Sequence, residues 1–396
     1  SSEVVGGALV PNRLYIATRG GFLYAVGSGE TGTSGEGIAQ EIQPESSLVS
    51  KESVLALAGE PIGPEVPVAH KIFMDESGFS GGATDTDGGN LYIASQAGDL
   101  YALDPKGEII WQVTLPGGGI GNPAIGGQGE IYMVDKEGGL TAYSEHGEMI
   151  WHHRTEAGLG GIAGPVVSSE GVIYYTIGSP GTGIVQAVSE DGDALWQTPV
   201  ETQLFYRSPD VNASGELVFF RDEIFDAGDG SKIDLGLPFD VDQYFPGEDG
   251  RNYLQAEGTV VAWDYHDGQA VISEARVLSS RGKPTRIGVT AEGVVWMLYP
   301  AEAYWFTTDG KALGVSSLRK GWTEGAVEID RDFTIYAYGR DDPRFKRARS
   351  SCFAFSIKSS EPIWISIFST TFEDIVGGLL APGGIYIMTE AVSYTH

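Results

Sequence analysis

The 396-residue chain carries 54 acidic against 25 basic side chains, a formal charge of −29, which disfavours nucleic acid or an anionic membrane as partner because phosphate binding needs Lys/Arg surfaces. Acidic residues in such excess cover a solvated surface and favour cationic ligands or basic protein patches. Cys352 is the only cysteine, so neither an intrachain disulfide nor a Cys-rich metal site can form, and within SCFAFSI it is expected as a small buried hydrophobe on a strand.

No run is long and apolar enough to span a membrane, and no signal-peptide pattern stands at Ser1, as expected of a mature secreted form or of a domain from something longer. Residues 4–26 (VVGGALVPNRLYIATRGGFLYAV) predict three short strands. Residues 27–65 then break the pattern. They are rich in Gly, Ser, Glu and Pro, with one patch, SSLVSKESVLALAGE, that predicts a short capped helix from Ser46 or Ser47. This reads as an insertion, after which residues 66–74 (VPVAHKIFM) supply a fourth strand.

Residues 91–111 (LYIASQAGDLYALDPKGEIIW) and 131–151 (IYMVDKEGGLTAYSEHGEMIW) repeat each other in one register, with Tyr92 on Tyr132, Leu100 on Leu140, Gly107 on Gly147 and Trp111 on Trp151. Each copy holds three strands joined by tight turns, and a Gly-rich run before it adds one more. Four strands per unit of about forty residues is the spacing of a propeller blade. Further units follow at about residues 163–200, 207–238, 240–279, 284–318 and 325–368. Finally, residues 375–389 (IVGGLLAPGGIYIMT) align without a gap on residues 4–18. The extra strand pair has no obvious slot in a closed ring: it can replace strands of the first blade, pair elsewhere or begin a continuation. The expectation is therefore an all-β, eight-bladed β-propeller of four-stranded antiparallel blades, with seven blades and irregular ends as the alternative. It forms one domain over residues 1–396, with an insertion at 27–65 and a terminal partial blade repeat at 375–396.

Three units share the pattern Ala, four residues, Gly, three residues, Trp: Ala102–Gly107–Trp111, Ala142–Gly147–Trp151 and Ala187–Gly192–Trp196. Ala354, Ser360 and Trp364 follow it with one more residue after the Ala and with Ser at the Gly position. The stretch Ala262–Gly268 keeps the turn, with Ile272 at the Trp position. The pattern resembles the tryptophan-docking motif of the pyrroloquinoline-quinone-like β-propellers, which include quinoprotein alcohol dehydrogenases and the non-catalytic propeller of bacterial outer-membrane assembly. The resemblance implies that each outer-strand Trp packs over the Gly turn of the neighbouring blade. The dehydrogenases of that family use a vicinal disulfide, a calcium ion, a catalytic Asp and a Trp stacked on the quinone. The single cysteine excludes the disulfide, and no Asp or Glu matches the catalytic motif residue by residue.

Other candidate chemistry is sparse. Asp85 and Asp87 in AspThrAspGlyGlyAsn resemble a calcium loop, but the equivalent turns of other units lack the acids, so turn formation is the expected role. His152 and His153 follow each other on a strand and point to opposite faces, one exposed and one packed, so they cannot chelate one metal together. Arg340, Arg344, Lys346, Arg347 and Arg349 form the only basic cluster, either a solvated loop tip or a docking site for an acidic partner or another copy. Asn212-Ala213-Ser214 is a glycosylation sequon. The expected function is a non-catalytic protein-binding or scaffolding propeller of a bacterial envelope or extracellular assembly. It would sit in the periplasm or outside the cell, with a protein partner or self-association, no nucleic acid, no membrane insertion and no cofactor. The competing class is a quinone- or metal-dependent oxidoreductase using the central funnel, with calcium as the candidate ion.

Overall fold

The computed structural model describes strand backbone between Gly7 and Thr389, and side chains over most of residues 79–265 and 286–315. Residues 28–67, 342–349 and 390–396 are among those outside it, so the candidate helix, most of the insertion and most of the basic connection lie outside the described residues. Every regular element among the described residues is a β-strand, and the strands form eight sheets.

The second sheet shows the plan. Phe79–Thr84, Leu91–Ser95, Asp99–Leu103 and Ile109–Thr114 pair antiparallel in chain order, from an inner strand to an outer one. Every residue of Leu91–Ser95 is buried, whereas the outer strand alternates exposed and half-buried residues. That difference follows from position. The middle strands are covered on both faces by neighbouring sheets and need a continuous apolar run, while the outer strand meets water. Tyr92, Ala94, Leu100 and Ala102 pack against Ile131, Met133 and Tyr143 of the third sheet. Tyr132, Val134, Leu140 and Ala142 of that sheet pack against Ile173, Tyr175, Ile177 and Val188 of the fourth. The same face-to-face relation joins the fourth sheet to the fifth, the fifth to the sixth, and the sixth to the seventh. This is a propeller-like stack in which each of the third to sixth sheets contributes one face to each of two cores.

The inner strands approach backbone to backbone. A Cβ on Gly121 would stand 2.2 Å from Gly164 N, and one on Gly81 would stand 2.1 Å from Gly121 O. No side chain fits between them, which explains the Gly-rich run ahead of each copy. Gly82 N also donates to Asn122 Oδ1 at 3.3 Å, and Ser208 Oγ to Gly164 O at 2.8 Å, tying neighbouring sheets together at the same level.

Among the later sheets, the fourth and fifth depart from the four-strand expectation and the sixth departs in register. In the fourth, the inner strand splits into Gly160–Gly161 and Val166–Val167, both paired with Ile173–Ser179; Pro165, without an N–H, lies in the gap. The fifth has three strands, Asp210–Val211, Leu217–Phe220 and Glu223–Asp226, followed by one isolated bridge from Phe225 to Lys232. Its expected outer strand fails at Gly236, which has φ 61° and donates its N–H to Asp234 Oδ1 at 2.8 Å, turning the chain away. In the sixth sheet, His266 pairs with Gln269, leaving two residues between the strands, so Ala262 faces Glu274 and Ile272 faces Trp263. The residue at the Trp position there is thus Glu274 rather than Ile272, because the shorter connection shifts the register.

The first sheet holds six strands. Arg13–Ala17, Phe22–Gly27 and Val68–Met74 follow in order, Gly7–Val10 pairs with Arg13–Ala17, and the terminal repeat joins them as Ile375–Ala381 and Gly384–Thr389. One parallel bridge, Arg13 to Gly384, links the two copies. Gly7–Val10 and Ile375–Ala381 both lie against Phe79–Thr84 on one side and Trp322–Ile329 of the eighth sheet on the other. Two related sequences, identical at eight of fifteen aligned positions, thus share one environment, which predicts that either can fill it. Removing residues 375–396 or residues 1–18 alone should leave a folded chain melting within a few degrees of the parent, while removing both should unfold it. A single deletion as damaging as the double one in a thermal melt would contradict this redundancy.

Candidate functional site on the outer strands

The outer strand of the second sheet carries a β-bulge: Ala102 faces Trp111, Leu103 faces Ile109, and Ile110 is the extra residue. A bulge puts two successive side chains on one side, so Ile109 and Ile110 both turn to solvent while Trp111 turns back. The third sheet repeats this with Ala142 facing Trp151 and Tyr143 facing Met149. The fourth repeats it with Ala187 facing Trp196 and Val188 facing Ala194.

Each of these tryptophans lies on a glycine of the next sheet. A Cβ on Gly147 would stand 2.8 Å from Trp111 Cδ2, one on Gly192 2.8 Å from Trp151 Cδ2, and one on Gly230 2.5 Å from Trp196 Cε3. Gly147 has φ 81°, a conformation other residues avoid, so shape and backbone require the same residue there. The turn is closed by its own bonds: Gly147 N donates to Ser144 O at 2.9 Å, and Ser144 Oγ accepts Glu148 N at 3.1 Å. Carbonyls exposed by the turns receive the indoles. Trp111 Nε1 donates to Glu145 O at 2.7 Å, Trp151 Nε1 to Glu190 O at 2.7 Å, and Trp196 Nε1 to Ala227 O at 2.8 Å.

A tyrosine of the second strand supports each indole from within its own sheet. Tyr92–Trp111, Tyr132–Trp151 and Tyr174–Trp196 have ring centroids 5.9, 5.8 and 5.8 Å apart. Burial, with a smaller push from nearby carboxylates, raises the Tyr132 and Tyr174 hydroxyls to about 12, so both rings stay neutral at physiological pH. The tyrosines carry a signal visible in the repeat, since Tyr92 and Tyr132 share its register; the carbonyl acceptors carry none. Trp364 faces Ala354 in the eighth sheet, the register position of the three tryptophans above.

The remaining candidates fall elsewhere. Asp85 Oδ1 accepts Gly89 N at 2.7 Å, closing a turn, and Asp87 lies outside the described residues. His152 is exposed, with Nδ1 2.8 Å from Thr141 Oγ1; His153 is half-buried, with Nδ1 3.1 Å from Gly192 O of the next sheet. Arg340 lies in the strand Thr334–Asp341, opposite Ser350 and Thr323; Arg344, Lys346, Arg347 and Arg349 lie outside the described residues. The described residues hold no group of three or more His, Cys, Asp or Glu placed to share a metal ion.

Two acids, one buried and one at an inner strand, escaped the sequence reading. Asp135 is buried, and burial pushes its carboxyl up against the pull of the Gly139 and Glu137 N–H groups, each 2.8 Å from Oδ1. Asp210, on the inner strand of the fifth sheet, is likewise pushed up by burial and drawn down by Arg207, whose guanidinium lies 3.8 Å away and donates to Gln243 at 2.9 Å. Its side chain is 42% exposed all the same, so the pair faces water at the inner end of the sheets.

Comparison with known proteins agrees with this architecture. Residues 60–226 match the model of the family PQQ_2, described as outer membrane protein assembly factor BamB. A search of curated protein sequences finds no match. Among solved structures, BamB from Moraxella catarrhalis is 16% identical with a TM-score of 0.50, over 77% of this chain and 95% of that one. The dihydro-heme d1 dehydrogenase NirN, solved in complex with DHE, is 13% identical with a TM-score of 0.56, over 93% of this chain and 78% of that one. Sqt1 from Saccharomyces cerevisiae is 9% identical with a TM-score of 0.52, over 78% and 95%. At these identities the likeness establishes the fold, a propeller of repeats, and the resemblance to the pyrroloquinoline-quinone-like repeats holds over residues 60–226.

A double-mutant cycle tests the indole-on-glycine contact. Trp111→Ala should cost about 3 kcal/mol, the low end for a large aromatic that is only partly buried. Gly147→Ala should cost about 2 kcal/mol through left-handed strain and the clash with the ring. In the Trp111→Ala background the clash is gone, so Gly147→Ala should cost at least ~1 kcal/mol less. Additive effects in chemical denaturation would show that the two residues do not interact.

Proposed function

We propose that the chain is an eight-bladed β-propeller that works as a non-catalytic protein-binding scaffold in a bacterial cell envelope or extracellular assembly. The observation that carries this reading is the use of the repeated residues. Trp111, Trp151, Trp196, their glycines and their tyrosines all serve contacts between sheets, so the repeat builds a rigid body and leaves its surface to make contacts. The family match over residues 60–226 to an outer membrane assembly factor supports the same reading and an envelope location. The eight sheets, and the placing of Gly7–Val10 and Ile375–Ala381 between the second and eighth, support an eight-bladed closure. In this reading the insertion at 27–65 and the basic residues Arg340, Arg344, Lys346, Arg347 and Arg349 contact the protein partner or another copy, and no cofactor takes part.

The competing reading is an oxidoreductase with its chemistry at the inner ends of the sheets, where Arg207 and Asp210 stand. Against it, a single cysteine cannot form the vicinal disulfide those dehydrogenases use, and Asp210 stands 3.8 Å from the Arg207 guanidinium. Two measurements separate the readings. Adding pyrroloquinoline quinone and calcium should give no bound-quinone absorbance and no dye-linked turnover; turnover would overturn the scaffold reading. Reversing Arg344, Lys346 and Arg347 to Glu should leave the melting temperature unchanged and weaken a salt-sensitive association with partner or copy. Association unchanged across ionic strength would return those residues to a solvated tip.

A further inference from the structure

We infer that the outer strands of the second, third and fourth sheets form a docking strip for a cationic amphipathic segment of a partner protein. This rests on the protein-binding reading above and names the surface and the chemistry of the contact.

The strip begins with the bulges. Ile109, Ile110, Met149, Ile150 and Leu195 are each 50–53% exposed, and they account for five of the six exposed large hydrophobics among the described residues. All five stand one or two residues ahead of a tryptophan that lies on the next sheet, so the geometry that seats the indole also turns these side chains outward. The seventh sheet shows that the exposure is not forced by the bulge. There Leu313 occupies the extra position and is buried, because Gly314 stands where the tryptophan would be. Three adjacent sheets thus carry large aliphatic groups at positions that the seated indole turns outward, where Ala194 shows that a small side chain suffices. Five such half-exposed side chains present roughly 450 Å² of apolar surface spread over three neighbouring outer strands, comparable with the largest apolar patch of a typical monomer, which is often functional.

The charges around the strip select the occupant. The turns between the third and outer strands, residues 104–108, 144–148 and 189–193, contain Asp104, Glu108, Glu145, Glu148, Glu190, Asp191 and Asp193 against the single cation Lys106. Glu108 and Glu148 immediately precede the exposed pairs, Asp193 stands two residues ahead of Leu195, and all three are exposed. An occupant must therefore place apolar groups on the aliphatic pairs and Lys or Arg between them. A second copy of this strip would bring acid against acid, as would an anionic membrane, and like charges brought together across an interface disfavour association. A partner segment with interleaved apolar and basic residues satisfies both features.

The test uses the full chain, three synthetic peptides and fluorescence anisotropy. The probes are a Lys/Leu amphipathic peptide, a Lys/Ser peptide of equal charge and a Glu/Leu peptide. The parent should bind Lys/Leu at least about tenfold more tightly than Lys/Ser, with added salt weakening both, and should not bind Glu/Leu. The variant Ile110→Ser/Ile150→Ser/Leu195→Ser keeps every charge, so it should retain the weak Lys/Ser binding and lose the Lys/Leu margin. Should that variant not fold, Ile150→Thr alone should lower Lys/Leu affinity about threefold. Equal affinity for Lys/Leu and Lys/Ser in the parent, or Lys/Leu binding unchanged by the substitutions, would overturn the strip. Self-association of the parent that the triple variant abolishes would name a second copy as occupant and overturn the cationic partner. A native partner that binds the triple variant as tightly as the parent would refute the strip and leave the scaffold reading standing, whereas quinone turnover would refute that reading itself.

Discussion

An indole laid on a glycine of the next sheet is the contact that couples one repeat to another. It joins requirements that are separately weak. The outer strand must bulge to turn the ring inward, and the turn beneath must have no Cβ and a left-handed backbone. A carbonyl must also be left to take the Nε1 proton. Trp111 on Gly147, Trp151 on Gly192 and Trp196 on Gly230 meet all of these. Each indole can bury up to about 250 Å² in such a contact, and its hydrogen bond fixes the angle at which one sheet meets the next. The apolar faces of the middle strands would hold the sheets together without this contact, but less specifically.

The later sheets solve the same packing problem differently. In the seventh, Trp305 occupies the third-strand position held elsewhere by Ala, and Gly314 faces it from the outer strand, so large and small residues have exchanged places. Trp305 is fully buried, and a Cβ on Gly314 would stand 3.1 Å from Ile357 O of the eighth sheet. In the sixth, Trp263 sits one residue beyond Ala262, fully buried, edge-on to Phe219 at 6.2 Å and to Tyr244 at 6.1 Å. The volume of one indole is conserved near each of these interfaces while its strand of origin changes. That is the behaviour expected where packing density is the constraint.

Much of the architecture was legible because a repeat multiplies weak signals. One Ala–Gly–Trp spacing says little, but three in one register, with Tyr92 on Tyr132, mark both the strands and the contacts between them. Legibility failed where the repeat decays. The lost outer strand of the fifth sheet depends on Gly236 and Asp234, residues common in turns that leave a strand intact. The register of the sixth depends on a connection two residues long, and counting from Gly268 led to Ile272 instead of Glu274. The exposed aliphatic pairs were visible as letters in GEIIW and GEMIW, but alternation predicts that one residue of each pair points inward. Only the bulge explains why Ile109 and Ile110 both face water. The Arg207–Asp210 pair, brought together at the inner ends of the sheets, leaves no periodic trace.

If the sheets are coupled face by face and clamped at the rim, the chain should unfold as one body despite its modular sequence. Differential scanning calorimetry of the full chain tests this most directly. Coupled sheets predict a single transition with a calorimetric to van't Hoff enthalpy ratio of about 1. Two or more resolved transitions, or a ratio well above that value, would show that the repeats melt separately and would contradict the account.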